Sequence, residues 1–352
     1  ALYYLHLATR TARLQSYERV LAPRAKEWIP KFRDRWGLAA WSLTEEITPE
    51  IVAELGPYYR LVRELAPNQP PTVLHNNFPA ALADLKQNRP AVITHDFYPF
   101  FWSPRSGPSN PRRSVAALRA GSRFYKACRE HWASLWMMVQ AWGTPERRPL
   151  DPPHYGYRTG MRTPEPGEIK LQGWVSVAEG ATGLFFYAAL PSRPEEHQLW
   201  DFGWKETART RAAGELFEQL QRVAPLLCRL ERDYAEAGFV STSNPKVIAH
   251  TFVRRKDSDN TGRPAEQTRR PSDLPPARYI VLASLDGFEP QRFNLSVQTD
   301  QRVFDLISRR DITDQLTDMV LPPGEGRVLL VGSRDDFHQT CRLIDSDGTR
   351  SQ

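Results

Sequence analysis

The sequence predicts an α/β part followed by an all-β part: a (β/α)8-type barrel lacking its first βα units, then an antiparallel β-sandwich. Three observations carry that expectation. Up to about residue 237, short apolar runs alternate with longer stretches of helical period, the pattern of a parallel sheet with crossover helices. After Gly238 the helical periods stop, and β-rich runs separated by turn residues take over. All ten Trp lie at or before Trp204, so the two parts also differ in composition. The expected domains are therefore 1–240, a partial barrel that carries the chemistry, and 241–352, an accessory sandwich.

Taken in order, the barrel strands are Leu2–Leu7, Leu38–Leu43, Pro71–His75, Ala91–His95, Leu135–Ala141 and Thr182–Ala188. Each is a short apolar run ending in polar or turn residues. The helices between them are Ala12–Arg35, Pro49–Leu65, Pro79–Asn88, Arg113–His131, Pro166–Glu179 and Lys205–Ala237. Thr48-Pro49-Glu50 opens one of them with an N-cap residue and Pro at the first helical position. The last helix has Leu216, Leu220, Val223, Leu227, Leu230 and Tyr234 on one face, with Pro225 expected to kink or split it. Six strands cannot close an eight-stranded barrel, and Ala1 runs almost directly into the first of them. The expectation is a chain without the first two βα units of its parent, with two open edges. In the second part the expected strands are Lys246–Val253, Arg278–Leu285, Arg292–Val297, Arg302–Ile307, Arg327–Val331 and Phe337–Ile344. Lys256–Pro276, rich in Asp, Arg, Pro, Thr and Ser, reads as a long loop.

Composition narrows the functional classes. The chain has 352 residues, 40% apolar and 25% charged, with a net charge of +6. The basic residues are scattered among nearly as many acids, and the dense spots Arg254-Arg255-Lys256 and Arg269-Arg270 lack interleaved aromatics, so no nucleic-acid partner is expected. No apolar run reaches the ~20 residues of a membrane span. Cys128, Cys228 and Cys341 are odd in number and far apart, which gives neither a disulfide framework nor a metal spacing. No phosphate loop or nucleophile elbow is present either, so no cofactor is expected. Nothing in the sequence fixes the oligomeric state.

Four strand ends carry polar or aromatic groups. They are Thr44-Glu45-Glu46, Thr94-His95-Asp96-Phe97-Tyr98-Pro99, Val139-Gln140-Ala141-Trp142 and Leu184-Phe185-Phe186-Tyr187. Any one of them alone reads as capping or loop solvation. Four at successive carboxyl ends point to a shared cleft, because that end of a barrel carries the chemistry. The aromatics around them, Trp41, Tyr98, Phe100, Phe101, Trp102, Trp142 and Tyr187, suit the apolar faces of sugar rings, ordinary core being the alternative. His75, Asn76 and Asn77 end another strand with groups able to bond sugar hydroxyls or to make a turn. Glu168, in the first turn of a helix, reads as a cap.

The string Thr163-Pro164-Glu165-Pro166-Gly167-Glu168-Ile169-Lys170, with Gly173-Trp174 and Glu179-Gly180-Ala181-Thr182-Gly183-Leu184 after it, resembles the late barrel of glycoside-hydrolase-like TIM-barrel proteins of the β-galactosidase-like group. Leu43-Thr44-Glu45-Glu46-Ile47 resembles their strand-four motif, Asp96-Phe97-Tyr98-Pro99 their strand six, and Val139-Gln140-Ala141-Trp142 their strand seven. Val303-Phe304-Asp305-Leu306 and Leu321-Pro322-Pro323-Gly324-Glu325-Gly326 resemble their C-terminal sandwich. The resemblance implies a glycosidase acting on O-glycosidic bonds of an oligo- or polysaccharide, outside the cell or in the periplasm. It makes Glu46 the general acid/base and Glu45 its neighbouring polar residue. Asp96 is then the base, the nucleophile or a substrate-orienting group. Glu45, Trp41, His75, Asn76, Tyr98, Gln140, Trp142 and Tyr187 are the expected substrate contacts. Gln140 stands where a retaining enzyme has its nucleophilic Glu, and an amide cannot attack an anomeric carbon. The alternative reading is a non-catalytic glycan-binding or structural protein on a decayed barrel.

Overall fold

The structure is a computed structural model describing residues 3–6, 22–35, 38–100, 102–103, 107–108, 111–143, 161–191, 197–235, 238–255 and 277–348. The loop expected at Lys256–Pro276, Phe101 and residues 12–21 of the helix expected at Ala12–Arg35 lie outside the described residues. The chain forms two compact units. One comprises Ala1–Tyr98, Ala120–Val139 and Ala181–Phe185; the other comprises Pro99–Arg119, Gln140–Gly180 and Phe186–Gln352.

The first part alternates strand and helix as the sequence predicts: β1 (Tyr3–His6), α1 (Ala22–Phe32), β2 (Leu38–Glu45), α2 (Pro49–Val52), α3 (Gly56–Leu65), β3 (Pro71–His75), α4 (Phe78–Gln87) and β4 (Val92–Phe97). A two-residue ladder, β5 (Trp102–Ser103) with β6 (Gly107–Pro108), precedes α5 (Pro111–Glu130), β7 (Ser134–Gln140), α6 (Pro166–Ala178) and β8 (Gly183–Tyr187). The six main strands form one sheet in the order β1-β2-β3-β4-β7-β8, with the first four pairings parallel. This is a curled, barrel-like parallel sheet. An eight-stranded closed barrel is not formed among the described residues.

Side-chain alternation divides this sheet into two faces. Trp41, Leu43 and Val73 pack with Ile29, Val52, Tyr59 and Val62 of the helices in one core cluster. His75 and His95 share that helix-facing side, where His95 stacks on Phe124 of α5 with ring centroids 3.8 Å apart. The other face carries Ser42, Thr72, Thr94 and Asp96. Thr72 and Thr94 hydroxyls meet at 3.2 Å, and Thr72 Oγ1 donates to the Val92 carbonyl at 3.0 Å.

The second part contains α7 (Ala208–Leu227), β9 (Leu230–Arg232), β10 (Val240–Thr242), β11 (Val247–Arg254), β12 (Arg278–Ser284), β13 (Gln291–Phe293), β14 (Leu295–Val297), β15 (Arg302–Asp305), β16 (Arg310–Asp311), β17 (Met319–Leu321), β18 (Gly326–Gly332) and α8 (Arg334–Gly348). Its main sheet runs β16-β15-β18-β12-β11-β9, antiparallel at every pairing. On one face, Ile280, Leu282, Val303, Leu329 and Val331 pack with Phe293, Leu295, Met319 and Leu321 of two small ladders.

Two sequence expectations fail here. The helix expected to reach Ala237 ends at Leu227, two residues past Pro225, which has no amide hydrogen to continue the ladder. Leu230 therefore enters a strand, and Leu226 replaces Leu227 on the buried stripe. The strand expected at Phe337–Ile344 is helical, so this part is not all-β. Ser333 Oγ accepts from Asp336 N at 3.1 Å while Asp336 Oδ2 accepts from Ser333 N at 2.8 Å, a reciprocal cap. Phe337, Thr340 and Ile344 then recur at helical spacing, Phe337 stacking on Phe304 at 4.6 Å and Thr340 and Ile344 buried.

Within the second unit α6 is buried on all sides, with ten of its residues, from Glu168 to Ala178, in the interior. Its first turn touches the turn after β12, and a Cβ on Gly167 would lie 1.9 Å from the Gly287 carbonyl oxygen. Gly167→Ala should therefore cost roughly 1–3 kcal/mol or more through overpacking of backbone on backbone. Denaturant unfolding of the variant checks this, and a cost below about 0.5 kcal/mol, the range of an ordinary surface substitution, would contradict the close approach.

Candidate functional site

The acidic end of β2 owes its placement to an irregularity in register. Ser42 pairs with Thr72, but Glu45 pairs with Leu74, so three steps along β2 match two along β3. Strict alternation would place Glu45 on the helix side with Trp41 and Leu43. The extra residue instead brings it into register with Leu74, on the face that carries Thr72, Thr94 and Asp96, the use to which bulges beside active sites are put. The strand then stops at Glu46, whose φ of 50° is left-handed. Its amide is held by the Leu74 carbonyl at 2.7 Å. Glu46 thus lies just past the strand, outside its side-chain alternation.

Asp96, on β4, completes the group. It is only 6% exposed, and its Oδ1 has no hydrogen-bond partner among the described residues. Burial, then the carboxylates of Glu46 and Glu45, push its pKa from 3.8 up to about 6, against a hydrogen bond with the Tyr98 side chain that favours the ionised form. Glu45, Glu46 and Tyr98 are partly buried around it. Four of the residues expected from sequence are therefore brought together: Glu45, Glu46, Asp96 and Tyr98. A buried acid that keeps its proton toward neutrality beside further carboxylates is the arrangement that acid–base chemistry requires.

Other expected contacts are placed elsewhere. Trp41 is fully buried in the helix-packed core, and its indole N–H has no partner among the described residues. His75 is also fully buried. Its Nε2 lies 3.0 Å from Asp84 Oδ2, which also accepts from the Tyr59 hydroxyl at 2.7 Å, while Asn88 Nδ2 donates to Oδ1 at 2.8 Å. Odd positions on these strands face the helices, so Trp41 and His75 serve packing rather than substrate. His95 follows the same parity. Its Nδ1 donates to the His75 carbonyl at 2.7 Å, and burial drives its pKa down to about 4, which keeps it neutral. Asn76 is exposed, and Asn77 caps α4 by accepting from Ala80 N at 2.9 Å. That pair is turn chemistry.

Gln140, at the end of β7, is fully buried and fully used. Its Oε1 accepts from Phe100 N at 2.8 Å, and its Nε2 lies 3.1, 3.0 and 2.9 Å from the carbonyl oxygens of Phe100, Trp142 and Arg162. The amide clamps three chain segments and has nothing left for a sugar. Glu168 is structural too: Arg162 grips it through Nη1–Oε2 at 2.8 Å and Nη2–Oε1 at 2.7 Å, and it accepts from Glu165 N at 2.8 Å. Trp142 and Tyr187 meet edge to face at 6.4 Å, with Tyr187 45% exposed. Several exposed aromatics lie outside the residues expected from sequence, Phe202 and Trp204 among them. Phe202 and Trp204 lie in the segment between β8 and α7. A Trp beside Gly203 in a polar stretch is the available signal.

No family model and no curated protein matches this sequence. Solved structures do. A glycoside hydrolase family 5 protein from Bacteroides vulgatus ATCC 8482 matches at a TM-score of 0.55 and 12% identity, over 96% of this chain and 71% of that one. A GH2 β-galacturonidase from Eisenbergiella tayi matches at 0.42 and 14% identity, over 62% of this chain and 40% of its own. A glycoside hydrolase family 5 mannosidase from Rhizomucor miehei matches at 0.40 and 12%, over 60% and 62%. The chain thus spans about two fifths of the length of the galacturonidase. At 12% identity the first match establishes a shared fold, glycoside-hydrolase-like, and nothing finer.

Proposed function

We propose that this protein hydrolyses O-glycosidic bonds of an oligo- or polysaccharide, with Asp96 and Glu46 as its acid–base pair. The observation that carries the proposal is Asp96, a buried acid at a carboxyl strand end, with one oxygen unpartnered among the described residues and a pKa raised by burial and by Glu46. In this reading Asp96 gives its proton to the leaving oxygen. Glu46 takes a proton from the attacking water, and solvent resets both groups. Because Gln140 is committed to backbone groups, single displacement with inversion is the favoured course. Glu45 and Tyr98 orient the sugar. The sequence suggests the opposite direction of proton transfer for this pair, and the raised pKa of Asp96 is the reason for reversing it.

A screen of chromogenic glycosides, followed by the anomeric form of the first product, tests the reading. The kcat/KM profile should fall as pH rises through about 6, where Asp96 loses its proton. Glu46→Gln removes one of the charges that raise this pKa, so residual activity should show the same limb at lower pH. A limb that stays in place would separate Glu46 from the pair. The second reading, a non-catalytic glycan-binding protein, is favoured by Gln140 alone. Absence of turnover on every substrate, with binding retained, would decide for it.

A further inference from the structure

We propose that the hairpin tip Asp201–Lys205 is a stacking platform for neutral pyranose rings, a subsite that engages a glycan chain; the choice of ligand rests on the glycan-acting reading above. The segment after β8 is stitched to the residues that follow β7: Gly143 and His197 exchange backbone hydrogen bonds of 3.0 and 3.2 Å. It therefore belongs to the segments that follow β7 and β8. Leu199 is buried against Ala141, Ile169, Ala212 and Ala213 and fixes the base of the hairpin. Asp201 N bonds the Lys205 carbonyl at 2.9 Å, and Arg209 ties Gln198 O at 2.7 Å and Asp201 Oδ1 at 3.2 Å.

On this pinned base stand Phe202, 51% exposed, and Trp204, 71% exposed, the most exposed large apolar side chain among the described residues. The tip turns through Gly203 at φ 82° and Trp204 at φ 64°. Glycine or asparagine occupies such a left-handed position cheaply, and a bulky aromatic does not. A protein partner would call for a broad contiguous apolar patch. Here the two rings share their segment with two ion pairs, Arg209–Asp201 at 3.2 Å and Arg211–Glu206 at 3.3 Å, which leave Lys205 as its one further charge. A pyranose has the matching chemistry, with an apolar C–H face for the indole and hydroxyls for the flanking polar groups.

The test is affinity electrophoresis of the full chain in native gels containing galactomannan, xyloglucan, mixed-linkage β-glucan or alginate. At least one of the three neutral polymers should retard the protein. Trp204→Gly should weaken that retardation about tenfold, in keeping with loss of an aromatic contact. Because glycine suits the left-handed turn, the variant should melt no lower than the parent, which separates lost binding from lost folding. The proposal is overturned if no neutral polymer retards the protein, if the variant is retarded equally, or if size-exclusion shows that Trp204→Gly only dissolves a dimer. Running Asp96→Asn alongside keeps the two readings apart. Trp204-dependent retardation without any turnover leaves the platform standing and removes the hydrolase. Turnover without retardation does the reverse.

Discussion

Asp96→Asn should make this protein more stable at neutral pH and far less active. Turnover on a substrate found by screening should drop by roughly 10²–10⁴, the usual contribution of a positioned general acid. The stability gain follows from the raised pKa. A carboxyl whose pKa rises from 3.8 unfolded to about 6 folded favours the fold when protonated. Its contribution is fully present below pH 3.8 and is lost as the pH climbs through about 6. By pH 7 the ionised, buried group costs the fold up to about 3 kcal/mol, since moving a pKa tenfold in acidity takes about 1.4 kcal/mol. Asparagine cannot ionise and escapes that cost. The two proteins should therefore unfold alike near pH 4 and diverge toward pH 7, with the variant the more stable. Parallel stability curves across this range would show that Asp96 is not held in its acid form by the fold. Such a trade of stability for activity is a common mark of a working site.

Gln140→Glu should be among the most damaging single substitutions in the chain. It looks conservative, and it would place a carboxylate at the end of β7. Yet Nε2 faces three carbonyl oxygens, and Oε1 receives the Phe100 amide. A carboxylate supplies no donor, so it would sit buried against oxygens, with only the Phe100 N–H in its favour. Leaving such groups unpaired costs about 1–3 kcal/mol each, and an uncompensated buried charge about 3–5 kcal/mol. Protonation of the new acid softens the loss, so the destabilisation should shrink as the pH is lowered. Urea unfolding at pH 5 and pH 8 measures both effects. A variant as stable as its parent, with new retaining activity, would mean that Gln140 is an open site position and not a clamp.

Much of the fold is legible in the sequence because its signals are local. Pro71–His75 is a strand as its β-branched, apolar run suggests, and Glu168 caps its helix as its place in the first turn suggests. Pro225 likewise carries its own warning, and only the distance from it to the helix end is not written locally. The helix α8 escapes because Phe337, Thr340 and Ile344 sit in a short segment whose apolar residues fit either period. Asp96 and the two glutamates are visible as acids closing apolar runs.

What the sequence could not decide was which face each side chain would meet. Alternation is readable, but its phase is set by the partner strand. The extra residue between Ser42 and Glu45 exists only in the register with β3, and it turns Glu45 from the helix side toward Asp96. Trp41 and His75 look like cleft residues along the chain, and the helices packed on their face make them core. Gln140 looks like a lost nucleophile until Phe100 and Arg162, 40 and 22 residues away, are seen to use every atom of its amide. Sequence alone placed the strands of the parallel sheet and the acids at their ends. Tertiary structure assigned their roles, because burial and hydrogen bonding depend on neighbours that the local chain does not contain.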